Sequence, residues 1–224
     1  MGKKFKYSNV PGDCRKRELM PSLDLLVKAG AASKVVHSTG QGIPLGAEAN
    51  HEKFKTIFLD VALAQTVMGI DSSSWLLDPE RNFVNKGTVT EAFVGQEITA
   101  WSRPTGKCQL FSWLRESRSS SAEVDYLIQK EGVVIPVEVK SGAPGSLKSL
   151  HLFLCEHPHS PYGVRFSTLN FSSENNIRSY PIYAVANFML SSSPQILPPQ
   201  HQRGKRRCCR GQVRTSKFQH TTSK

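Results

Sequence analysis

Residues 123–141 constrain the fold of this chain more than any other stretch, because they predict two β-strands joined by a two-residue turn. Apolar, largely β-branched residues recur at every second position from Glu123 to Gln129 and again from Val133 to Lys140. A period of two is typical of paired strands. Glu131-Gly132 supplies the turn, since glycine readily adopts the positive φ that such turns require. We therefore expect an antiparallel hairpin.

The turn also predicts the register of this hairpin. With Lys130 opposite Val133, Asp125 is expected to lie opposite Glu138. Two opposed carboxylates destabilise a hairpin unless a positive charge accompanies them. Lys140 is one such charge, and Mg²⁺, which prefers oxygen ligands, is another. The opposite face is expected to be apolar throughout and to consist of Val124, Tyr126, Ile128, Val133, Ile135, Val137 and Val139.

Two acids and a lysine at one end of a hairpin have two explanations. One is a solvated salt-bridge cluster without a chemical role. The other follows from their spacing: an aspartate, twelve residues and then Glu-x-Lys resembles the core of the PD-(D/E)XK nucleases. That resemblance implies that Asp125 and Glu138 bind a metal ion, and that Lys140 positions or activates the attacking water.

The elements around the hairpin are expected in the order helix, strand, hairpin, helix, strand. This is the αβββαβ order of the PD-(D/E)XK core, a restriction-endonuclease-like α/β (α+β) fold with a mixed sheet. In the first helix, Glu91, Val94, Ile98 and Trp101 share one stripe. Glu91 matches the helix acid of that superfamily, which implies a role in the metal shell. The predicted elements are residues 88–101 (helix), 108–115 (strand), 146–154 (helix), 163–166 (strand) and 182–184 (strand).

The charge of the chain is concentrated at its end. The net charge is +11, and eight lysines and arginines but no acid follow Leu190. A segment so poor in apolar residues is expected to be disordered, or else to be a basic arm that binds phosphates. The chain shows no signal peptide and no apolar run of membrane-spanning length. We therefore expect a cytoplasmic protein without membrane contact.

Longer segments extend the resemblance to about residues 5–189. They look like the C-terminal domain of unknown function in prokaryotic AAA-type ATP-binding proteins, where an ATPase module precedes a winged-helix-like linker and a nuclease-like domain. The resemblance implies a winged-helix-like or linker region at residues 1–80 and a nuclease-like domain at 81–189. The tail at 190–224 does not resemble the family, and its composition predicts that it is disordered and basic. The segments are residues 17–30, 44–63, 87–98, 123–128, 135–142, 161–167 and 180–185.

Two functions from different classes follow from this resemblance. The first is a nuclease that hydrolyses phosphodiesters with Mg²⁺ as its cofactor, catalytic residues Asp125, Glu138 and Lys140, and metal ligands Glu91, Asp125 and Glu138. The second is a module that binds nucleic acid or protein without cleavage and is coupled to an ATPase. Because the chain has no Walker A motif, no ATP site is expected in it, and the expected partners are nucleic acid and an AAA ATPase module.

Overall fold

A computed structural model describes residues 4–67, 69, 86–102, 108–116, 121–142 and 145–191. Within these residues the chain has a mixed α+β fold with five α-helices and one eight-stranded sheet. The helices are α1 (Lys16–Lys28), α2 (Val61–Val67), α3 (Lys86–Trp101), α4 (Lys148–Glu156) and α5 (Val185–Leu190). The strands are β1 (Ala32–Ser38), β2 (Ala49–Phe58), β3 (Leu110–Glu116), β4 (Ser121–Lys130), β5 (Val133–Lys140), β6 (Gly163–Ser167), β7 (Ser172–Glu174) and β8 (Ile177–Pro181).

The sheet is mixed, and its strand order is β2-β1-β3-β4-β5-β6-β8-β7. Four neighbouring pairs are antiparallel: β1 with β2, β3 with β4, β4 with β5, and β7 with β8. The other three pairs, β1 with β3, β5 with β6, and β6 with β8, are parallel. The expectation of a mixed α+β fold is therefore confirmed, whereas the specific PD-(D/E)XK core stays a prediction.

The central hairpin forms as the sequence predicts. β4 and β5 pair antiparallel, from Lys130 opposite Val133 to Tyr126 opposite Val137. At the turn, φ is 50° for Glu131 and 78° for Gly132, and two successive positive φ values are typical of a tight hairpin turn whose twist matches that of its strands. The predicted register of this hairpin is thus confirmed as far as Tyr126.

Beyond Tyr126, a β-bulge in β4 changes the pattern. Where β4 pairs with β3, the two residues Asp125 and Tyr126 lie opposite the single residue Ser112. An extra residue in one strand interrupts the alternation of side chains and re-aims those at the bulge. The bulge therefore falls on one of the predicted site residues.

Because of this bulge, the prediction of one continuous apolar face is wrong. Val124 was expected on the same face as Tyr126, but it packs with Trp113 and Leu127 in a separate hydrophobic cluster. The physical reason is that a bulge reverses which residues face which side. Hydrophobic alternation alone does not reveal where a strand carries such an extra residue.

Two hydrophobic clusters flank the sheet. Neighbours along β4 and β5 alternate between them: Tyr126 and Ile135 belong to the first, Leu127 and Val134 to the second. Helices α3 and α5 contribute to the first cluster, and α4 contributes Leu150 and Phe153 to the second. The sheet is thus covered by helices on both faces, which is why its central strands are apolar on both sides.

The first strands of the chain belong to the same sheet as the hairpin. β1 pairs with β3 in parallel, and β2 pairs with β1, so residues 32–58 extend the sheet. The predicted boundary between residues 80 and 81 lies outside the described residues, and so does the tail beyond residue 191; the predicted division into domains stays a prediction. No helix in the described ranges has the length and apolarity needed to cross a membrane.

One of the predicted strands is wrong. Residues 182–184 form a short 3-10 helix, and the strand lies just before them as β8. Pro181 ends this strand, and proline has no N–H with which to continue a ladder. The other predicted elements around the hairpin, at residues 88–101, 108–115, 146–154 and 163–166, match α3, β3, α4 and β6 to within a few residues.

Candidate functional site

A buried lysine lies at the centre of the acidic site. The side chain of Lys55, on β2, is 3% exposed. Its Nζ donates to Glu91 Oε1 at 2.5 Å and to Glu123 Oε1 at 2.9 Å, and lies 3.8 Å from Asp125 Oδ1. Burial lowers the pKa of Lys55, but the carboxylates of Glu91, Asp125 and Glu123 outweigh it and raise that pKa. Lys55 is therefore a fixed positive charge.

Asp125 binds a backbone donor as well. Its Oδ2 accepts a hydrogen bond of 2.8 Å from the Val139 N–H, just beyond the last residue pair of the β4–β5 ladder, Tyr126 with Val137. The Asp125 carboxylate thus accepts a hydrogen bond from β5, and the bulge in β4 allows this contact. Burial raises the pKa of Asp125, while Lys55 and the Val139 N–H oppose this effect.

The Glu138 carboxylate is buried, and only one of its two oxygens has a hydrogen-bond partner among the described residues. Its Oε1 accepts a hydrogen bond of 2.5 Å from Lys140 Nζ, but its Oε2 is buried without a hydrogen-bond partner among the described residues. Arg165, its neighbour across β5 and β6, also has a buried Nε without such a partner. Burial, together with the charge of Asp125, raises the pKa of Glu138 to about 7.

The cleft above these residues brings most of the predicted site together. It has a volume of about 370 Å³, and Glu91, Asp125 and Lys140 all contribute to its wall. Glu138 is not among the lining residues, but it contacts the cleft through its hydrogen bond to Lys140. Lys55 and Glu123 complete the cluster, although the sequence predicts a role for neither. The remaining lining residues are Gly87, Thr88, Val139, Ser141 and Gly142.

Helix α3 is placed against the sheet by two close contacts. The Tyr126 hydroxyl donates to the carbonyl oxygen of Glu91 at 2.8 Å. At Gly95, an added Cβ would lie 2.4 Å from Tyr126 Oη, so only glycine permits this approach. Val94 and Ile98 are buried as predicted, but Trp101, expected on the same stripe, is 44% exposed. These contacts bring Glu91 within reach of Lys55.

A second cavity of about 330 Å³ lies at the glycine-rich loop of residues 40–42. Its buried histidine, His157, already has partners: Nδ1 is 2.8 Å from the Phe153 carbonyl oxygen, and Nε2 is 2.9 Å from that of Thr39. The ring also stacks on Phe153 with centroids 3.8 Å apart. These contacts give His157 a packing role that joins the loop to α4.

The acidic side chains of the site can be compared with the ligands that the expected magnesium ion needs. No group of three or more His, Cys, Asp or Glu side chains in the described part of the chain is placed to hold a metal ion. Lys55 carries a single positive charge, which it shares among Glu91, Glu123 and Asp125. The buried Oε2 of Glu138 still lacks a partner. The carboxylates of Asp125 and Glu138 are two in number, and Mg²⁺ usually binds one or two carboxylates and keeps several waters.

The carboxyl of Glu138 gives a prediction for metal-free protein. Its pKa is about 4.5 unfolded and about 7 folded, so the folded state holds the proton more tightly. The stability that this carboxyl contributes is complete below about pH 4.5 and is lost as the pH rises through about 7. We expect Glu138→Gln to gain about 1–3 kcal/mol over wild type at about pH 8, and much less at about pH 4.5.

Urea unfolding in chelator at both pH values measures this difference. Glu91, whose pKa burial also raises to about 7, remains in the variant, so part of the pH dependence should persist. Glu174→Gln is the control, because Glu174 is exposed on β7. An unchanged pH dependence in Glu138→Gln would show that the Glu138 carboxyl is ionised throughout this range, held by Lys140.

A family model matches the part of the chain that contains most of these residues. No curated protein matches the chain, and no solved structure matches it either. The matching family is described as Domain of unknown function (DUF4143), and its match begins with α3 and ends at the start of α5. Residues 86–185, which carry Glu91, Asp125, Glu138 and Lys140, are therefore similar to DUF4143 domains.

Proposed function

We propose that the cleft between α3 and the central hairpin hydrolyses phosphodiester bonds of nucleic acid with the help of a divalent cation. The observation that carries the proposal is the convergence of three residues: Asp125 and Lys140 line one cleft, and the buried Glu138 is hydrogen-bonded to Lys140. Its unsatisfied Oε2 supports a cation beside it, because a buried carboxylate oxygen without a partner is costly.

Each residue has a separate role in this proposal. Asp125 and Glu138 would hold Mg²⁺, which polarises the scissile phosphate and lowers the pKa of its bound water. Lys140, bonded to Glu138 and facing the cleft, orients the attacking water and stabilises negative charge that develops on the phosphate. Glu91 lines the cleft and accepts a hydrogen bond from Lys55. It therefore lies outside the ligand shell of the proposed ion, where it supports Asp125.

The proposed partners are nucleic acid and an AAA-type ATP-binding module. The module rests on the resemblance of residues 5–189 to the C-terminal domain of such ATP-binding proteins. Nucleic acid rests on the proposed chemistry and on the basic segment after Leu190, which has eight lysines and arginines and no acid.

A second candidate is a binding module without cleavage. It is favoured by the ion pairs of Lys55, which neutralise part of the charge of Glu91, Glu123 and Asp125 without any metal. In that case the acidic cluster joins β2, α3 and β4, and its role is structural. The two candidates differ in whether the site binds a divalent cation.

Calorimetric titration of the full chain with Mg²⁺ tests the proposal. Wild type should give a saturable binding heat, and Asp125→Asn should weaken binding by about tenfold or more, because it removes a ligand charge. Glu174→Gln, an acid-to-amide change on β7 away from the cleft, should bind as wild type does. No saturable heat in wild type, together with retained binding to DNA or RNA, would favour the binding module.

A further inference from the structure

We propose that Arg165, on β6, binds a backbone phosphate of the nucleic acid next to the bond that the cleft cleaves. The inference rests on the proposed function, because it takes nucleic acid as the substrate. It adds a phosphate-binding residue on a strand to which the sequence assigns no part of the site. Because a contact to phosphate carries no information about the base, this contact accepts substrates of any sequence.

The register of the sheet places Arg165 beside the proposed catalytic residues. β5, β6 and β8 are parallel neighbours, and Arg165 lies opposite Glu138 on one side and Ser179 on the other. Lys140 lies opposite Ser167, two residues further along β6. With strands about 4.8 Å apart and a rise of about 3.3 Å per residue, the Cα atoms of Arg165 and Lys140 are roughly 8 Å apart. A phosphate bound by Arg165 is therefore a neighbour of one that Lys140 contacts.

The Arg165 guanidinium has no counter-charge in the described part of the chain. Arg115 pairs with Glu156 at 3.2 Å, whereas Arg165 forms no side-chain ion pair there and its buried Nε has no hydrogen-bond partner. Glu138 does not supply that partner, because its carboxylate is hydrogen-bonded to Lys140 instead. A desolvated N–H donor without an acceptor is costly, and an anion that accepts from it removes this cost.

The chemistry of the side chain indicates which anions fit. A guanidinium is always charged and presents five N–H donors in a planar fork, which matches phosphate and carboxylate oxygens in pairs. The proposed chemistry of the neighbouring cleft selects phosphate between these two. Arg165 is partly exposed although its Nε is buried, so part of the side chain is accessible to a ligand.

The surroundings of Arg165 are polar, whereas the adjoining part of the same sheet face is apolar. Val134 on β5 and Ile177 on β8 belong to the hydrophobic cluster to which α4 contributes. Nearer the carboxyl ends of these parallel strands, the same face carries Arg165 and the buried serines Ser167 and Ser179. A serine hydroxyl can donate to a phosphate oxygen. Ligands of parallel sheets bind at the carboxyl ends of the strands, which is where this polar row lies.

Binding of short labelled oligonucleotides in chelator, followed by fluorescence anisotropy over a range of salt concentrations, tests the inference. Arg165→Met should weaken the binding of oligothymidylate by about tenfold at low salt, because a charge-assisted contact is lost. The slope of log affinity against log salt should become shallower by about 0.7, the value for one phosphate contact to a single strand. Oligoadenylate should lose affinity by the same factor, because the contact does not read the base.

Arg178→Met is the matched control. Arg178 is an arginine on the neighbouring strand β8, but it stacks on Tyr162 with its Cζ 3.6 Å from the ring centre, so the salt slope should stay as in wild type. Arg165→Lys, which keeps the charge but loses the fork, should restore the slope and only part of the affinity. In chelator the melting temperature of Arg165→Met should be unchanged or higher, since no ion pair of Arg165 with another described residue is lost.

An unchanged salt slope in Arg165→Met, a loss confined to one of the two oligonucleotides, or a clear fall in its melting temperature would overturn the inference. If wild type still shows Mg²⁺-dependent cleavage, such a result leaves the proposed function in place. A shallower slope in Arg165→Met, with neither Mg²⁺ binding nor cleavage in wild type, supports the phosphate contact and overturns the proposed hydrolysis. Wild type that binds no oligonucleotide overturns both. If Arg165→Met does not fold, Arg165→Gln takes its place, and failure of both variants to fold makes Arg165 a structural residue and overturns the inference.

Discussion

Replacing Lys140 by methionine is expected to lower Mg²⁺-dependent cleavage of nucleic acid by about 10²–10³-fold. Lys140 is the only group on the cleft wall that we assign to the attacking water and to the developing charge on phosphate, and removing one such stabilising group costs about 10²–10³ in rate. Because Lys140 acts together with the ion that Asp125 and Glu138 would hold, the double variant Asp125→Asn/Lys140→Met should be scarcely slower than either single variant. Initial rates on a labelled duplex and on a single strand measure both effects.

The control for this prediction is the variant Lys148→Met, which should cleave at the wild-type rate. Lys148 is an exposed lysine at the start of α4. Asp125→Asn should also leave the melting temperature in chelator unchanged or slightly higher. Its amide oxygen can still accept the Val139 N–H, and a buried negative charge has been removed. If the melting temperature falls clearly in chelator, Asp125 is a structural ion-pair partner of Lys55 and the binding module is the better hypothesis.

Gly95→Ala is expected to give the largest loss of stability from a single methyl group. The added Cβ would lie 2.4 Å from Tyr126 Oη and 2.8 Å from Ile57 Cδ1. Tyr126 is fully buried and its hydroxyl is bound to the Glu91 carbonyl, so α3 must move away from the sheet. Overpacking of this kind costs about 1–3 kcal/mol, and the better helix propensity of alanine offsets up to about 1 kcal/mol of that cost. Urea unfolding measures the loss.

A double-mutant cycle separates the clash from other effects. In a Tyr126→Phe background the atom nearest to the added methyl is absent, so Gly95→Ala should cost less there than in wild type. Gly87→Ala is the control on the same helix, because its Cβ would meet only Ser141 Oγ at 3.5 Å, an ordinary contact. Equal losses of stability in both backgrounds would show that the clash with the Tyr126 hydroxyl is not the cause of the destabilisation.

The same contacts link the stability of the fold to the site. Glu91 reaches Lys55 only because α3 lies close to β4, which the absence of a side chain at Gly95 permits. A variant that displaces α3 should therefore weaken cation binding as well as stability, even though Gly95 does not line the cleft. Both the free energy of unfolding and the affinity for the cation should therefore be measured for Gly95→Ala.

The hairpin could be predicted from the sequence because its signals are local. Alternation of apolar residues sets the strands, and the Glu131-Gly132 turn sets the register, so the pairing from Lys130 to Tyr126 follows from residues close together in the chain. The candidate residues Asp125, Glu138 and Lys140 came from the same stretch. The hairpin brings these residues to one end of β4 and β5, and the bulge in β4 then sets the direction of the Asp125 carboxylate.

Lys55 could not be predicted in the same way. It precedes Asp125 by seventy residues, and in the sequence it is one lysine among the alternating residues of a strand. Its contact with Glu91 and Asp125 depends on β2, α3 and β4 being brought together by the sheet order and by the packing at Gly95. A residue pattern within one strand contains no information about such long-range neighbours.

The sequence by itself thus determined the hairpin, its turn, the order of the surrounding helices and strands, and the acids and lysine at its open end. The tertiary structure alone decided that a bulge re-aims Asp125 onto the Val139 N–H, and that a buried lysine from β2 holds three of the carboxylates. The physical reason is range: strand period and turn chemistry act between neighbours in the chain, whereas burial and ion pairing depend on which distant segments the folded sheet places side by side.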